Sequence, residues 1–206
     1  VAPVRWLRSA ASVSRLRKDV VMISILGTGG HARVLAACLP GAQRVRREDE
    51  PVEEGFLVLG VADNRLRLVM VRRYGLERFL GVTHWTAFVD EGAAIGHGAQ
   101  IMAGAIIQPG AKIGDFAIVN TGAQIDHDCQ VGDYAFIAPG AVLLGGARVE
   151  RFSFVGANAV VMLGRKIGAD AIVGPGAGGT RDLPPRCVAY GNPARRMRMK
   201  RPEELS

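Results

Sequence analysis

The sequence predicts a mainly β protein, a parallel β-helix of six-residue repeats preceded by a small α/β domain, and three observations predict it. Every sixth residue from Val89 to Val173 is aliphatic, fifteen positions without exception. Four positions after each, twelve of the fifteen residues are Ala, the others being Cys129, Ser153 and Arg165. Upstream, Met22 to Leu26 is an apolar run followed by the glycine turn Gly27-Thr28-Gly29-Gly30 and an Ala- and Leu-bearing helix that ends near Pro40. A beat of six is neither the helical nor the simple strand period. It fits a coil in which each hexad is a short strand plus a turn, the aliphatic residue pointing inward and the small one filling the remaining space.

The 206 residues suffice for one domain or for a long and a short one. In chain order they divide into an extension (1–21), the α/β domain (22–86), the repeats (87–183) and a C-terminal segment (184–206). No run of eighteen apolar residues occurs, so no membrane span is expected. The net charge of +7 is not a nucleic-acid signal once it is located: residues 1–21 and 181–206 together carry +8 and everything between them −1. Cys38, Cys129 and Cys187 are odd in number and far apart, which suggests a reducing compartment, the cytoplasm, with no disulfide framework and no metal-ligand spacing.

Residues 1–21 are rich in Arg and Ser with one acid, and are expected to be loosely ordered or a peripheral helix. From Met22 the order is strand, glycine turn, helix. Glycines at that junction let backbone N–H groups approach a phosphate at the helix N-terminus. The string from Gly27 to Ala32 fits G-x-G-x-x-A, but about sixty-five residues ahead of the repeats are too few for a full dinucleotide fold. Arg44 to Glu54 reads as a charged surface loop. A second strand, Phe56 to Val61, leads through Ala62-Asp63-Asn64 into another helix, with Asp63 or Asn64 as N-cap. Two glycine-bearing strand-to-helix turns then lie at one end of a parallel sheet, where ligands bind in such sheets.

A short N-terminal domain carrying GTGGHAR and GVADNRLR, then hexads containing Asn120-Thr121 and Ile125-Asp126-His127-Asp128-Cys129, resembles the hexapeptide-repeat sugar acetyltransferases. That group includes bacillosamine and perosamine N-acetyltransferases and the sialic acid O-acetyltransferases, and the resemblance covers about residues 22–198. It implies a left-handed triangular prism with three hexads per coil, hence five coils, and a homotrimer with acetyl-CoA in the groove between subunits. It also implies a nucleotide-linked amino sugar held by the N-terminal domain, with Gly29, Gly30, His31 and Gly60 at the nucleotide and Asn120 helping to position the sugar. Phe136, Gly145, Ala157 and Pro175 would line the cofactor groove. Two departures stand out. Many members have a second strand ending in paired acids, where this chain offers only Glu48 and Asp49; and Phe136 occupies a position where a relative has a histidine that meets the thioester end.

Acyl transfer from a thioester to an amine needs a group that takes the amine proton and donors for the developing oxyanion; neutral histidine suits the first role near pH 7. His127 is flanked by Asp126 and Asp128, and the resemblance points to Asp128 as the acid that orients the ring. With eighteen residues per coil, Gly145 stacks over His127 and its N–H is expected to face the thioester oxygen. His97 lies five hexads from His127, on another side of the prism, and reads as a solvated turn residue; no metal is expected, because a zinc site needs three protein ligands. Cys129, in an Ala row, reads as core filler. Arg165 also falls in an Ala row, and the last coil is expected to open there. Pro184-Pro185 stops the repeats, and CVAYGNPARRMR (187–198) resembles the segment covering the last coil in these enzymes, with Arg195, Arg196 and Arg198 either near the CoA phosphates or in a solvated tail. The resulting expectation is an acetyl-CoA-dependent sugar N-acetyltransferase acting by direct attack. A sugar O-acetyltransferase and a non-catalytic β-helix scaffold are the alternatives, and the nucleotide, UDP, GDP or dTDP, is open.

Overall fold

A computed structural model describes residues 6–7, 22–39, 43–47 and 49–205. Contacts divide the chain into two compact units, Val1–Trp85 and Thr86–Ser206.

The first unit is built on a parallel sheet. Of residues 1–21 only Trp6–Leu7 (β1) is described, as a strand, and the rest of the expectation for that segment lies outside the described residues. Ile23–Leu26 (β2) is buried at every position, the pattern of a central parallel strand. Helix α1 (Gly30–Cys38) follows and turns Ala32 and Leu35 into the core. Gln43–Arg46 (β3) and Phe56–Leu59 (β4) flank β2 in the order β3-β2-β4. The segment expected as a surface loop from Arg44 to Glu54 therefore supplies a strand. Its four residues carry one aliphatic side chain, Val45, and that is 46% exposed, so an edge strand here has no hydrophobic signature. Helix α2 (Asn64–Tyr74) is capped by Asp63, whose carboxylate accepts the N–H groups of Arg65 and Leu66 at 2.9 and 2.7 Å. It ends at Gly75, with Arg72 and Arg73 in the last turn, where the helix dipole favours cations. Gly81–Thr83 (β5) pairs with β1.

The second unit is the three-sided β-helix. Strands of two residues pair in parallel with those eighteen residues on, Ile118 with Phe136 and Ile137 with Val155 for example. One face stacks Ala94–Ile95, Lys112–Ile113, Gln130–Val131, Arg148–Val149 and Lys166–Ile167. A second runs from Phe88–Val89 to Gly178–Gly179 through Gln124–Ile125 and Val142–Leu143. The third contains Gln100–Ile101, Ile118–Val119, Phe136–Ile137, Phe154–Val155 and Ile172–Val173, and continues into Cys187–Tyr190.

The aliphatic and small rows fill the interior as expected. Ile101, Ile107, Ile125, Leu143 and Val161 are fully buried, and the alanines between them close the triangle. Cys129 occupies its Ala slot without exposure; burial pushes its thiol up to about 11, so no thiolate forms near neutral pH. Ser153, also fully buried, satisfies its hydroxyl by donating to the Gly168 carbonyl at 2.8 Å.

Arg165 corrects an expectation. Its side chain leaves the interior for an ion pair with Asp182 at 3.8 Å, yet the coil stays closed. The Arg165 carbonyl still accepts the Arg148 N–H at 2.8 Å, and Leu183 bridges to fully buried Ile167. Backbone pairing, satisfied residue by residue, holds the coil when one interior side chain is absent.

Candidate active site

From Gly98 to Gly176 each corner of the prism has a left-handed backbone at the residue three beyond the inward aliphatic. Glycine fills most of these slots, but Asp128 fills one at φ 58°. Asp tolerates this region because its short polar side chain bonds locally, and here it bonds the ring beside it. Asp128 Oδ2 stands 3.0 Å from His127 Nδ1. A carboxylate accepts, so it selects the Nδ1–H tautomer and leaves the lone pair on Nε2. The Asp128 hydrogen bond, with the Asp126 charge second, raises the His127 pKa above its ordinary value.

Glycines one coil away make room for both side chains. A Cβ on Gly110 would stand 2.5 Å from Asp128 Oδ1, and one on Gly145 would stand 2.5 Å from His127 Nε2. The ring edge that carries the lone pair therefore lies under bare backbone.

The Gly145 amide does not face outward as expected. It donates to Asp126 Oδ2 at 3.1 Å, while Asp126 Oδ1 accepts the His127 N–H at 2.8 Å. The neighbouring Gly146 N–H is also engaged, donating to the His127 carbonyl at 2.9 Å. Asp126 thus has a bridging part that the sequence did not reveal. One carboxylate ties the coil of His127 to the coil above. Glu150 does the same at another corner, accepting the Ala169 N–H at 2.9 Å, whereas Asp90 in the equivalent slot bonds the Gly92 N–H of its own turn at 2.8 Å.

The other expected residues gather one corner away. Phe136 points out of the prism, is 7% exposed and stacks on Phe154 with ring centroids 5.3 Å apart. It shares an apolar cluster with Ile118, Ala138 and Ala157. Asn120, Ala157 and Pro175 belong to the turns that leave this face, and the Asn120 side chain accepts the Thr121 N–H at 2.8 Å. His127, Asp128 and Gly145 belong to the next corner. The two groups of expected residues therefore sit at different corners of the prism.

His97 is not the solvated residue expected. It is half-buried, its N–H donates to Asp115 Oδ1 at 2.7 Å, and its ring packs edge-on against Phe116 at 5.6 Å. Phe116, Tyr134 and Phe152 continue the stack at 5.2 Å intervals, all three with left-handed backbones. Among the described residues no group of three His, Cys, Asp or Glu side chains is placed to hold a metal ion.

In the first unit, Gly29 caps α1, Gly30 opens it and His31 lies half-buried in its first turn. A Cβ on Gly29 would meet nothing within 4 Å, so the turn is open on that side. Gly60 differs from the expectation of a direct contact. It is buried, its N–H donates to the Leu26 carbonyl at 2.7 Å, and a Cβ there would collide with Ala32. Its part is to let the turn after β4 close behind the turn after β2, where Gly27, at φ 124°, has the Gly60 carbonyl within 2.8 Å of its missing Cβ. Of the acids proposed to replace the paired acids of relatives, Asp49 is exposed and bonded to Arg47 at 3.1 Å, and Glu48 lies outside the described residues. No helix among the described residues is long and apolar enough to cross a membrane.

Residues 110–145, which contain His127, match the bacterial transferase hexapeptide family model of six repeats. No curated protein matches by sequence. Among solved structures, PerB from Caulobacter crescentus, in complex with CoA and GDP-perosamine, is 33% identical over 86% of this chain and 97% of that one, with a TM-score of 0.80. The acetyltransferase domain of PglB from Neisseria gonorrhoeae, in complex with acetyl coenzyme A, is 28% identical over 85% of this chain and 98% of that one, with a TM-score of 0.77. WeeI from Acinetobacter baumannii shares the fold at 23% identity, with a TM-score of 0.76 over 86% of this chain and 100% of that one. With the coil, the glycine-turn domain and the His-Asp corner in place, the chain belongs to the hexapeptide-repeat sugar acetyltransferase family, in which left-handed β-helices carry a small α/β domain.

Proposed function

We propose that this protein transfers the acetyl group of acetyl-CoA to the amino group of a nucleotide-linked 4-amino sugar. The single observation that carries the reading is the His127 ring, fixed by Asp128 through Nδ1 and presenting Nε2 beneath the backbone of Gly145. The sugar amine attacks the thioester carbonyl, Nε2 takes the amine proton, and the C–S bond breaks to release CoA thiolate, which the imidazolium reprotonates. No acyl-enzyme forms, and Cys129, buried and protonated, takes no part. Similarity to PerB and PglB, crystallised with CoA or acetyl-CoA, supports the donor, and the GDP-perosamine bound to PerB supports the acceptor class.

The half-sites support a homotrimer. His127 and Gly145 lie at one corner, Asn120, Ala157 and Pro175 at another, and the amides of Gly145 and Gly146 are already bonded within the prism. A groove in which the His127 corner of one subunit meets the Asn120 corner of the next supplies both halves. The open turn at Gly29, Gly30 and His31 takes the nucleotide phosphates, with Gly60 shaping it from behind. The three free cysteines suit a cytoplasmic enzyme. Thiol release from acetyl-CoA over a panel of UDP-, GDP- and dTDP-linked 4-amino sugars tests the proposal, and silence across the panel refutes it.

A further inference from the structure

Parallel pairing sets Arg46 level with Leu26, so β3 ends on an arginine beside the glycine turn of the first unit. The tie is direct: the Gly27 N–H donates to the Arg46 carbonyl at 2.7 Å. Arg46 comes nineteen residues after Gly27. In parallel sheets that hold a nucleotide at such a turn, the residue about twenty positions on meets the nucleoside, and an acid there accepts from the ribose hydroxyls. A guanidinium cannot do so, because it carries five donors and no acceptor. A nucleoside held at this strand end must offer acceptors instead.

The neighbouring charges leave Arg46 available. Arg47, next in the chain, is bonded to Asp49 at 3.1 Å, and the Asp49 carbonyl accepts from Arg73 of α2 at 3.4 Å. Asp63, in the turn after β4, is committed to the α2 cap. Arg46 is half-buried, and its Nε is enclosed with no hydrogen-bond partner among the described residues. A buried donor without an acceptor carries a cost that a ligand's acceptor removes.

The phosphates of a bound nucleotide have a place of their own, the start of α1, where no side chain caps the helix, no acid occupies the first turn and Gly29 is open. That leaves the base for Arg46. Guanine presents O6 and N7 side by side, two acceptors that match the guanidinium fork. Uracil and thymine place an N3–H donor between their carbonyls, and adenine sets an amino donor beside N7, so none of them offers adjacent acceptors.

We infer that Arg46 reads the O6 and N7 edge of guanine and makes the protein prefer a GDP-linked sugar to UDP- and dTDP-linked ones. The inference rests on the nucleotide-sugar reading above and names its nucleotide. The competing acceptor for the same guanidinium is the diphosphate, which all three nucleotides share.

The test is equilibrium binding of GDP, UDP and dTDP to wild type, Arg46→Ala and Arg46→Lys, with the Tm of each protein measured alongside. Wild type is expected to bind GDP about tenfold or more tighter than UDP or dTDP, the discrimination that one bidentate pair supplies. Arg46→Ala is expected to weaken GDP binding about tenfold and to leave UDP and dTDP binding unchanged. Arg46→Lys, which keeps the charge and loses the fork, is expected to lose the preference as well. IDP, which retains O6 and N7, is expected to match GDP, and 7-deaza-GDP, which lacks N7, to bind about tenfold more weakly. A wild type without preference for GDP overturns the inference. So does equal weakening of all three nucleotides in Arg46→Ala, the mark of a diphosphate contact or of lost folding, and so does a full GDP preference in Arg46→Lys or undiminished binding of 7-deaza-GDP. Turnover with UDP- or dTDP-linked amino sugars alone upholds the proposed function and overturns the inference. An Arg46-dependent preference for GDP in a protein that acetylates no amino sugar upholds the inference and refutes acetyl transfer, and a wild type that binds no nucleotide overturns the inference.

Discussion

Gly145 lies one coil above His127, so close that a Cβ on it would stand 2.5 Å from Nε2. The absence of a side chain at Gly145 is therefore what leaves room for the ring at Nε2. Gly145→Ala is expected to push the exposed ring off its position with little loss of folding stability. A misplacement of about 1 Å at the reacting group costs on the order of 100-fold in rate, to be read as kcat with the Tm measured alongside. Wild-type turnover in this variant would show that nothing approaches the ring from that side.

Asp128 raises the His127 pKa through its hydrogen bond, with Asp126 adding charge. The base must be neutral to accept a proton, so activity falls as pH drops through that raised value. In Asp128→Asn the acid limb of the rate profile moves to lower pH, while the plateau rate falls because the ring is less basic and less firmly oriented. The linkage to stability has the opposite pH sense. A raised folded pKa gives stabilisation that is complete below the unfolded histidine value and lost as pH rises through the folded one, so the pair adds nothing to stability where the enzyme is most active. A pH–rate profile whose acid limb stays in place contradicts the assignment.

Asp126 holds two backbone amides, those of His127 and Gly145, and so sets the spacing of the two coils at the site. Asp126→Ala is expected to lower stability by about 1–2 kcal/mol and to reduce kcat about tenfold or more through loss of alignment, with the KM for acetyl-CoA little changed. Chemical denaturation and steady-state kinetics on the same preparation check both halves.

Cys129 fills a slot that alanine fills in most other hexads, and its thiol is pushed up to about 11 by burial. Cys129→Ala is expected to keep turnover within about twofold, and iodoacetamide at neutral pH to leave the native enzyme active. Inactivation that Cys129→Ala abolishes would point to a covalent route.

How much of this was legible in the sequence depends on whether a residue's role is fixed by side-chain burial or by backbone direction. The aliphatic and alanine rows were legible because each coil packs every sixth residue against the same interior, and one wrong phase would bury a polar side chain. The eighteen-residue ruler placed Gly145 over His127 for the same reason. It carried no information on where the Gly145 N–H points, and Asp126 takes that amide. The strand Gln43–Arg46 was illegible because an exposed edge strand needs backbone partners and no apolar face. Arg165 misled because an interior position left by its side chain was equated with an open coil, although the ladder of backbone bonds runs past it. His97 looked solvated because no local signal reveals Phe116, nineteen residues on, whose ring it meets.

The most direct test of the account is the rate of thiol release by His127→Ala, measured at saturating acetyl-CoA with whichever nucleotide-linked amino sugar the wild type accepts. The variant is expected to retain the oligomeric state and CoA affinity of the wild type and to lose about 100- to 10,000-fold in kcat. Wild-type turnover by a folded His127→Ala protein would contradict the role assigned to the imidazole and, with it, the proposed chemistry.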